Sequence, residues 1–291
     1  MIKEHLHLKG PELSRIVAGA WRWHTVSSTV VEKLIHTSVE AGITSFDHAD
    51  IYGDYGNEKI FGDALKRTSI TRSSIQLVTK CGIKLLSSGK PDTWVKHYDT
   101  SQDHILKSVD NSLRHLGTDY IDLLLLHRPD PLMDPEEVSG AFGLLKQSGK
   151  VLHFGVSNFT VSQFDMLQSY LSFPLVTNQL EISLAKLDTF FDGTLDAMLR
   201  HRVSPMAWSP LGGGRLMTEG QQAFWSKKEK YGATEMQLSL AWLLKHPAHI
   251  FPVVGTTQPE RIIESAKTIN IDLDRQDWFE MLKAASGKDV A

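Results

Sequence analysis

Two hydrophobic patterns take turns along the chain. Short runs dense in β-branched and aliphatic residues alternate with longer stretches in which apolar side chains recur every three or four positions, the periods of buried strands and amphipathic helices. The strand-like runs are RIVAGAW (15–21), ITSFDHA (43–49), IQLVTK (75–80), IDLLLLH (121–127), VLHFGVSN (151–158), LVTNQLE (175–181), VSPMAWS (203–209) and IFPVVGT (250–256). Helical periodicity follows them near 29–41, 57–66, 101–116, 135–148, 160–171, 188–201, 220–230 with 234–245, and 259–268, and a last helix is predicted at 275–286.

Helix boundaries carry their own chemistry. Asp134-Pro135-Glu136-Glu137 supplies an N-cap, a first-turn proline and early carboxylates. Thr160 with Gln163, and Thr234 with Gln237, have capping-box spacing, and Gly42, Gly117 and Gly149 stand where helices should stop. Eight strand–helix units make a parallel sheet. Eight such units in 291 residues fit a closed (β/α)8 TIM barrel, an α/β fold spanning 1–291 as a single domain. An open doubly wound sheet would place G-x-G-x-x-G after its first strand, but that junction reads VAGAWRW.

Composition narrows the function classes. A net charge of −3 without long basic blocks argues against a nucleic-acid surface, which needs concentrated Lys and Arg to displace counterions. The single cysteine, Cys81, excludes an internal disulfide and a Cys-rich metal knuckle. MIKEHLHLKG has no apolar core of signal-peptide length, and no apolar run approaches the roughly 20 residues of a membrane span. The expectation is a cytoplasmic protein, monomer or simple homo-oligomer, with no nucleic-acid or membrane partner.

In a (β/α)8 barrel, functional groups come from the C-terminal strand ends. The polar and aromatic residues at those positions are Trp21, Asp47, Asp50, Tyr52, Lys80, His127, Ser157, Asn158, Gln179, Glu181, Trp208, Ser209, Gly255 and Thr256. Lys80 ends a run that should be buried, and a buried lysine needs a partner; Asp47, inside SFDHA, needs a cation. The two are therefore expected to face each other, with Tyr52 and His127 nearby. A phenol with a pKa of about 10 shuttles protons poorly near neutrality. An ammonium about 4 Å away at an effective dielectric of about 20 contributes about 4 kcal/mol, or roughly three pKa units. Such a group suits general-acid chemistry on a carbonyl that receives a hydride. A metal site built from His48, Asp50, Asp54 and His127 is disfavoured by strand alternation, which puts Asp47 and His48 on opposite faces; no metal is expected. His5 and His7 are expected on a small solvent-facing hairpin, SKKEKYG (226–232) on a solvated helix face, and Cys81 as a space-filling residue.

FDHADIYGDYGNE, LVTKCG, LLLLHRPD, GKVLHFGVSNF, TNQLEIS, AWSPLGGGRL and GTTQPERI, in this order and spacing, resemble the aldo-keto reductases over about residues 15–286. The likeness is to bacterial oxidoreductases with a short C-terminal tail. It implies an NADPH-dependent reductase of aldehydes and ketones, with the catalytic tetrad at Asp47, Tyr52, Lys80 and His127 and Tyr52 as acid. It also implies contacts to a nicotinamide from Ser157, Asn158 and Gln179, and stacking on Trp208, where the family usually has tyrosine. The pyrophosphate loop falls on Ser209, Leu211, Gly213 and Arg215, and Ala20 and Trp21 end the first strand beside it. At the adenosine end the family's Lys-Ser pair is replaced by Gly255 and Thr256, leaving Thr257 and Arg261 for a 2′-phosphate. NADP(H) is expected over NAD(H), with a small carbonyl substrate in an open pocket walled by Trp21, Trp23 and residues 81–100. The alternative within the fold is a regulatory or NADPH-binding subunit with little or no turnover.

Overall fold

A computed structural model describes residues 3–217 and 225–289. An antiparallel hairpin of β1 (Lys3–His5) and β2 (Glu12–Ser14) precedes the barrel. Eight parallel strands then close on themselves: β3 (Val17–Gly19), β4 (Ser45–Asp47), β5 (Gln76–Cys81), β8 (Ile121–Leu126), β9 (Val151–Ser157), β10 (Leu175–Glu181), β11 (Met206–Trp208) and β12 (Phe251–Val254). Between β5 and β8, the short pair β6 (Ile83–Lys84) and β7 (His97–Tyr98) forms a separate antiparallel ribbon at the mouth, an element that periodicity does not reveal.

The helices form the outer layer: α1 (Ser28–Glu40), α2 (Asn57–Leu65), α3 (Gln102–Leu116), α4 (Pro135–Gln147), α5 (Val161–Ser169), α6 (Thr194–His201), α7 (Trp225–Tyr231), α8 (Glu235–Leu244), α9 (Pro259–Lys267) and α10 (Arg275–Ser286). Both expected capping boxes are complete, and Asp134 caps α4 through Glu136 N. Gly117 ends α3 in the left-handed region at φ 67°. Only the second half of the stretch expected as helix from 188 is α-helical, because Gly193 at φ 84° breaks it from a 3-10 turn at Asp188–Phe190. The start of the helix expected from 220 lies outside the described residues.

The barrel interior below the strand ends is apolar. Val17, Val78, Leu123, Leu125, Val176, Met206, Phe251 and Val253 fill it, and Leu6 and Leu13 of the hairpin plug the bottom. Burying each such side chain contributes roughly 1.5–3 kcal/mol, so the floor under the strand ends is stiff and dry. His5 is half exposed on the hairpin, in line with expectation. The face 226–232 departs from the solvated reading. Lys227 is nearly buried, ion-paired to Asp277 at 2.7 Å and to Glu280, while Lys230 and Tyr231 also engage Asp277. These charges dock α7 on α10, a contact between residues some fifty positions apart that no local pattern encodes.

The sheet is irregular in the first half of the strand that carries Gln179. In β10 the register against β9 slips between Leu175, opposite Phe154, and Asn178, opposite Val156. A bulge of this kind inserts an extra residue and re-aims the side chains beyond it. Val176 therefore joins the barrel interior, Gln179 reaches it too, and Asn178 turns outward to the backbone of Phe159.

Candidate active site

Asp47 ends β4 and Lys80 lies near the end of β5, with Asp47 in register with Val78. Two further residues along β5, on the same face, the Lys80 ammonium reaches back. Its Nζ donates to Asp47 Oδ2 at 2.7 Å, to the His48 carbonyl at 2.8 Å and to the Tyr52 hydroxyl at 3.2 Å. All three donor positions of the ammonium are filled. Gln179, re-aimed by the bulge, donates from Nε2 to Asp47 Oδ1 at 2.9 Å, so both carboxylate oxygens are held. Lys80 is 1% exposed, and such burial is tolerable only with this pairing.

Tyr52 rides a sharp turn. Gly53, Asp54 and Tyr55 have φ of +58°, +53° and +67°, three successive left-handed residues that carry the chain away from β4 and into α2. A Cβ on Gly53 would stand 2.7 Å from that of His24, so this turn requires glycine. The Tyr55 hydroxyl accepts from Leu85 N at 2.8 Å and Lys90 lies 3.6 Å over its ring, tying the turn to the loop beyond β5.

The electrostatics differ in one respect from the sequence expectation. Burial works against the Lys80 charge, but Asp47 and Tyr52 outweigh it and hold the ammonium above its ordinary range. Burial also raises the Tyr52 phenol; Lys80 and Arg128 pull it down, and Asp47 pushes it up. The net direction is upward, because Asp47 cancels part of the lysine field and desolvation outweighs the remainder. Tyr52 is therefore held protonated. His127 packs edge-on to Tyr52 with ring centroids 5.9 Å apart. Burial, reinforced by Lys80, Arg128 and Lys96, pushes its pKa well below the usual histidine range, so the ring is neutral near pH 7.

Beside this cluster, Trp208 donates Nε1 to Asn158 Oδ1 at 2.9 Å, and Asn158 Nδ2 donates to Ser157 Oγ at 2.7 Å. Ser157 Oγ in turn donates to the Gln179 carbonyl. The ring of Trp208 is thus pinned, partly exposed, at the mouth. Gln179 Oε1 accepts from no described residue, an acceptor left available for an amide N–H. Gly213 and Gly214 have φ of +70° and +95° with open space where a Cβ would point, a cradle of backbone that suits an anion. Gly255 is exposed, while Thr256 is buried, accepts at Oγ1 from Gln258 N and offers its carbonyl to Trp23 Nε1. Arg261 is exposed on the first turn of α9, with Thr257 just before that helix. Ser209 stands in the left-handed region and its carbonyl accepts from Gly212 N, whereas the Leu211 side chain packs against the core. The Arg215 side chain lies outside the described residues.

Ala20 and Trp21 end at the same rim. Ala20 is buried, its carbonyl taken by Trp23 N and Asn57 Nδ2, and Trp21 is 55% exposed. Trp23 is not a pocket wall: it is 1% exposed, packed on Phe46 and Phe61 with ring centroids about 6 Å away (6.1 and 6.0 Å). Asp50 and His48 lie on the outer side of the barrel wall, toward the helices. Asp50 accepts from Ser108 of α3 at 2.8 Å, and the His48 ring packs 4.4 Å from Phe61. They share no site with His127. Arg128 borders the site but is absent from the strand-end candidates, because it opens a short loop; its position directly after His127 is the only signal the sequence carries.

The geometry agrees with comparison to known proteins. Residues 15–285 match the family model described as "Aldo/keto reductase family". The chain is an aldo/keto reductase. It is 47% identical over 290 residues to an uncharacterized oxidoreductase, YcsN, of Bacillus subtilis, covering 96% of each. It is 47% identical over 287 residues to a 6-dehydroglucose reductase of Agrobacterium fabrum, covering 96% of this chain and 97% of the relative. The fold of a thermostable aldo-keto reductase, Tm1743, crystallised with the inhibitor epalrestat, superposes with a TM-score of 0.86 at 26% identity, covering 98% of this chain and 100% of the other. This aldo/keto reductase is accordingly an oxidoreductase of a family that uses nicotinamide cofactors and acts on small carbonyl compounds. Among the described residues no helix is long and apolar enough to cross a membrane.

Proposed function

We propose that the chain, acting as one domain, reduces an aldehyde or ketone to the alcohol with NADPH, and that Tyr52 is the general acid. The observation that carries this is the contact of one buried ammonium with both Asp47 and the Tyr52 hydroxyl. When bound, the nicotinamide supplies the hydride. Trp208, Ser157, Asn158 and Gln179 hold and orient its ring, and the Ser209–Arg215 loop receives the pyrophosphate. Thr256, Thr257 and Arg261 face the adenosine end, where the guanidinium fork favours a 2′-phosphate and hence NADPH over NADH.

The proton side belongs to the chain. As negative charge develops on the substrate oxygen, Tyr52 donates its proton to that atom. Its raised pKa keeps the proton in place beforehand, and Lys80 stabilises the phenolate left behind. Asp47 fixes the lysine, and neutral His127 is placed to hydrogen-bond the reacting oxygen without competing for the proton. The 6-dehydroglucose reductases at 47% and 37% identity make hydroxylated, sugar-like aldehydes the first substrates to try.

The experiment is NADPH consumption across a panel of aldehydes and ketones, with Tyr52→Phe alongside. Turnover should fall by about 10²–10⁴ in that variant with NADPH binding intact. Full activity in Tyr52→Phe would refute the mechanism. NADPH binding with no turnover of any carbonyl would favour a cofactor-binding subunit instead.

A further inference from the structure

Arg128 follows His127 at the mouth of the barrel and is half buried, yet among the described residues it has no hydrogen bond and no ion pair. Its guanidinium carbon lies 5.6 Å from the ring centroid of Trp208. Its charge is felt at both the Tyr52 hydroxyl and the His127 ring. The nearby acidic residues are engaged elsewhere. Asp130 accepts from Thr100 Oγ1 and Leu132 N, and Asp99 is held by Ser101, Lys84 and His104. A second cation, Lys96, stands exposed on the same side and adds to the field at His127. A half-buried guanidinium offers five N–H groups, and leaving them without acceptors is costly. The acceptors open to it are water and whatever enters the space beside Tyr52, His127 and Trp208.

Resting on the reductase reading, we propose that Arg128 determines substrate specificity by receiving an oxygen carried on the carbon next to the reacting carbonyl. The substrate class is thus α-oxygenated carbonyl compounds, in which a hydroxyl or a carboxylate flanks the aldehyde or ketone. The planar fork suits two neighbouring oxygens, either a carboxylate or a pair of hydroxyls, better than a lone carbonyl. An unsubstituted aldehyde would leave the guanidinium without a substrate partner and gain none of the discrimination that a half-buried donor confers.

The test compares wild type, Arg128→Met and Arg128→Lys with NADPH and three aldehydes: propanal, glyceraldehyde and glyoxylate. NADPH affinity is measured in parallel by quenching of tryptophan fluorescence. Arg128→Met should lower kcat/KM for glyceraldehyde, glyoxylate or both by about tenfold or more relative to propanal, whatever common change the lost charge makes at Tyr52 and His127. Recovery of glyoxylate but not glyceraldehyde turnover in Arg128→Lys identifies the anion as the recognised group, because a point charge replaces the charge but not the fork. Loss confined to glyceraldehyde identifies the hydroxyls. Equal losses on all three aldehydes, or weaker NADPH binding with unchanged selectivity, overturn the proposal. If the wild type turns over none of the carbonyl compounds, the reductase reading fails separately. Calorimetric titration of glyoxylate and propanal into wild type and Arg128→Met then decides the inference: a preference for glyoxylate that the variant loses supports it, and equal behaviour of the two proteins overturns it.

Discussion

Asp47 and Asp50 stand three residues apart, both carboxylates withdrawn from water, and they live in opposite electrostatic worlds. Asp47 points into the barrel, where Lys80 holds one oxygen at 2.7 Å and Gln179 the other at 2.9 Å. Asp50 points outward to α3, where Ser108 supplies one hydrogen bond and Oδ1 has no partner among the described residues. Burial raises Asp50 to about 7, opposed only by Ser108, more distant lysines and a backbone N–H. Its neighbour Glu58, hydrogen-bonded to Thr79, is also raised to about 7, chiefly by burial and further by Asp50. Burial by itself does not make a charge useful. A cation on the same face makes Asp47 one half of an ion pair, while its absence leaves Asp50 and Glu58 as weak acids inside a polar pocket between barrel and helices.

The largest effect that can break this comparison is removal of the cation. Lys80→Met should reduce turnover by at least about 10³ and destabilise the fold by about 3–5 kcal/mol, because Asp47 is left charged and unpaired. Adding Asp47→Leu should recover most of the stability and none of the activity. Denaturant unfolding and NADPH consumption read the two effects separately, and a double variant no more stable than the single one would show that the ion pair is not the cause.

Neutralising each aspartate in turn sharpens the contrast. Asp47→Asn should cost about 10–100-fold in kcat/KM, since Lys80 loses its orienting charge, whereas Asp50→Asn should leave steady-state rates within about twofold. Comparable losses from both would mean that the outer pocket shapes the site.

The smallest effect is in pH-dependent stability. Asp50 and Glu58 have folded pKa values of about 7 against ordinary values of 3.8 and 4.5. Between those limits the folded chain keeps protons that the unfolded chain has released, so stability falls as pH rises from about 4 through 7. Wild type should therefore lose about 2–3 kcal/mol more than Asp50→Asn between pH 5 and pH 8, or several degrees in Tm. Parallel Tm curves for the two proteins would refute the assignment of Asp50 as a buried weak acid.

Much of the frame is legible in the chain itself. Each of the eight barrel strands lies within or overlaps an apolar run read from the pattern, and the capping signals at Asp134, Thr160 and Thr234 mark real helix starts. These features are local: period two, period 3.6 and side-chain oxygens three residues from an amide. The pairing of Asp47 with Lys80 is legible too, because a buried charge at one strand end demands its opposite at another. Trp23 misleads, since its apolar bulk suits a pocket wall as well as the core under Thr256, and only the packing of Phe46 and Phe61 distinguishes the two.

What the sequence alone determined is which residues stand at the strand ends and which of them carry opposite charges. What the tertiary structure decided is where each side chain aims and what meets it. The bulge in β10 turns Gln179 onto Asp47, across 132 residues of chain, and no alternation of hydrophobic and polar positions records that slip. The neighbours of Asp50, Lys227 and Arg128 were equally out of reach. Each depends on elements brought together by closure of the barrel, and the pKa of a buried group is set by those distant neighbours rather than by the residues beside it in the chain.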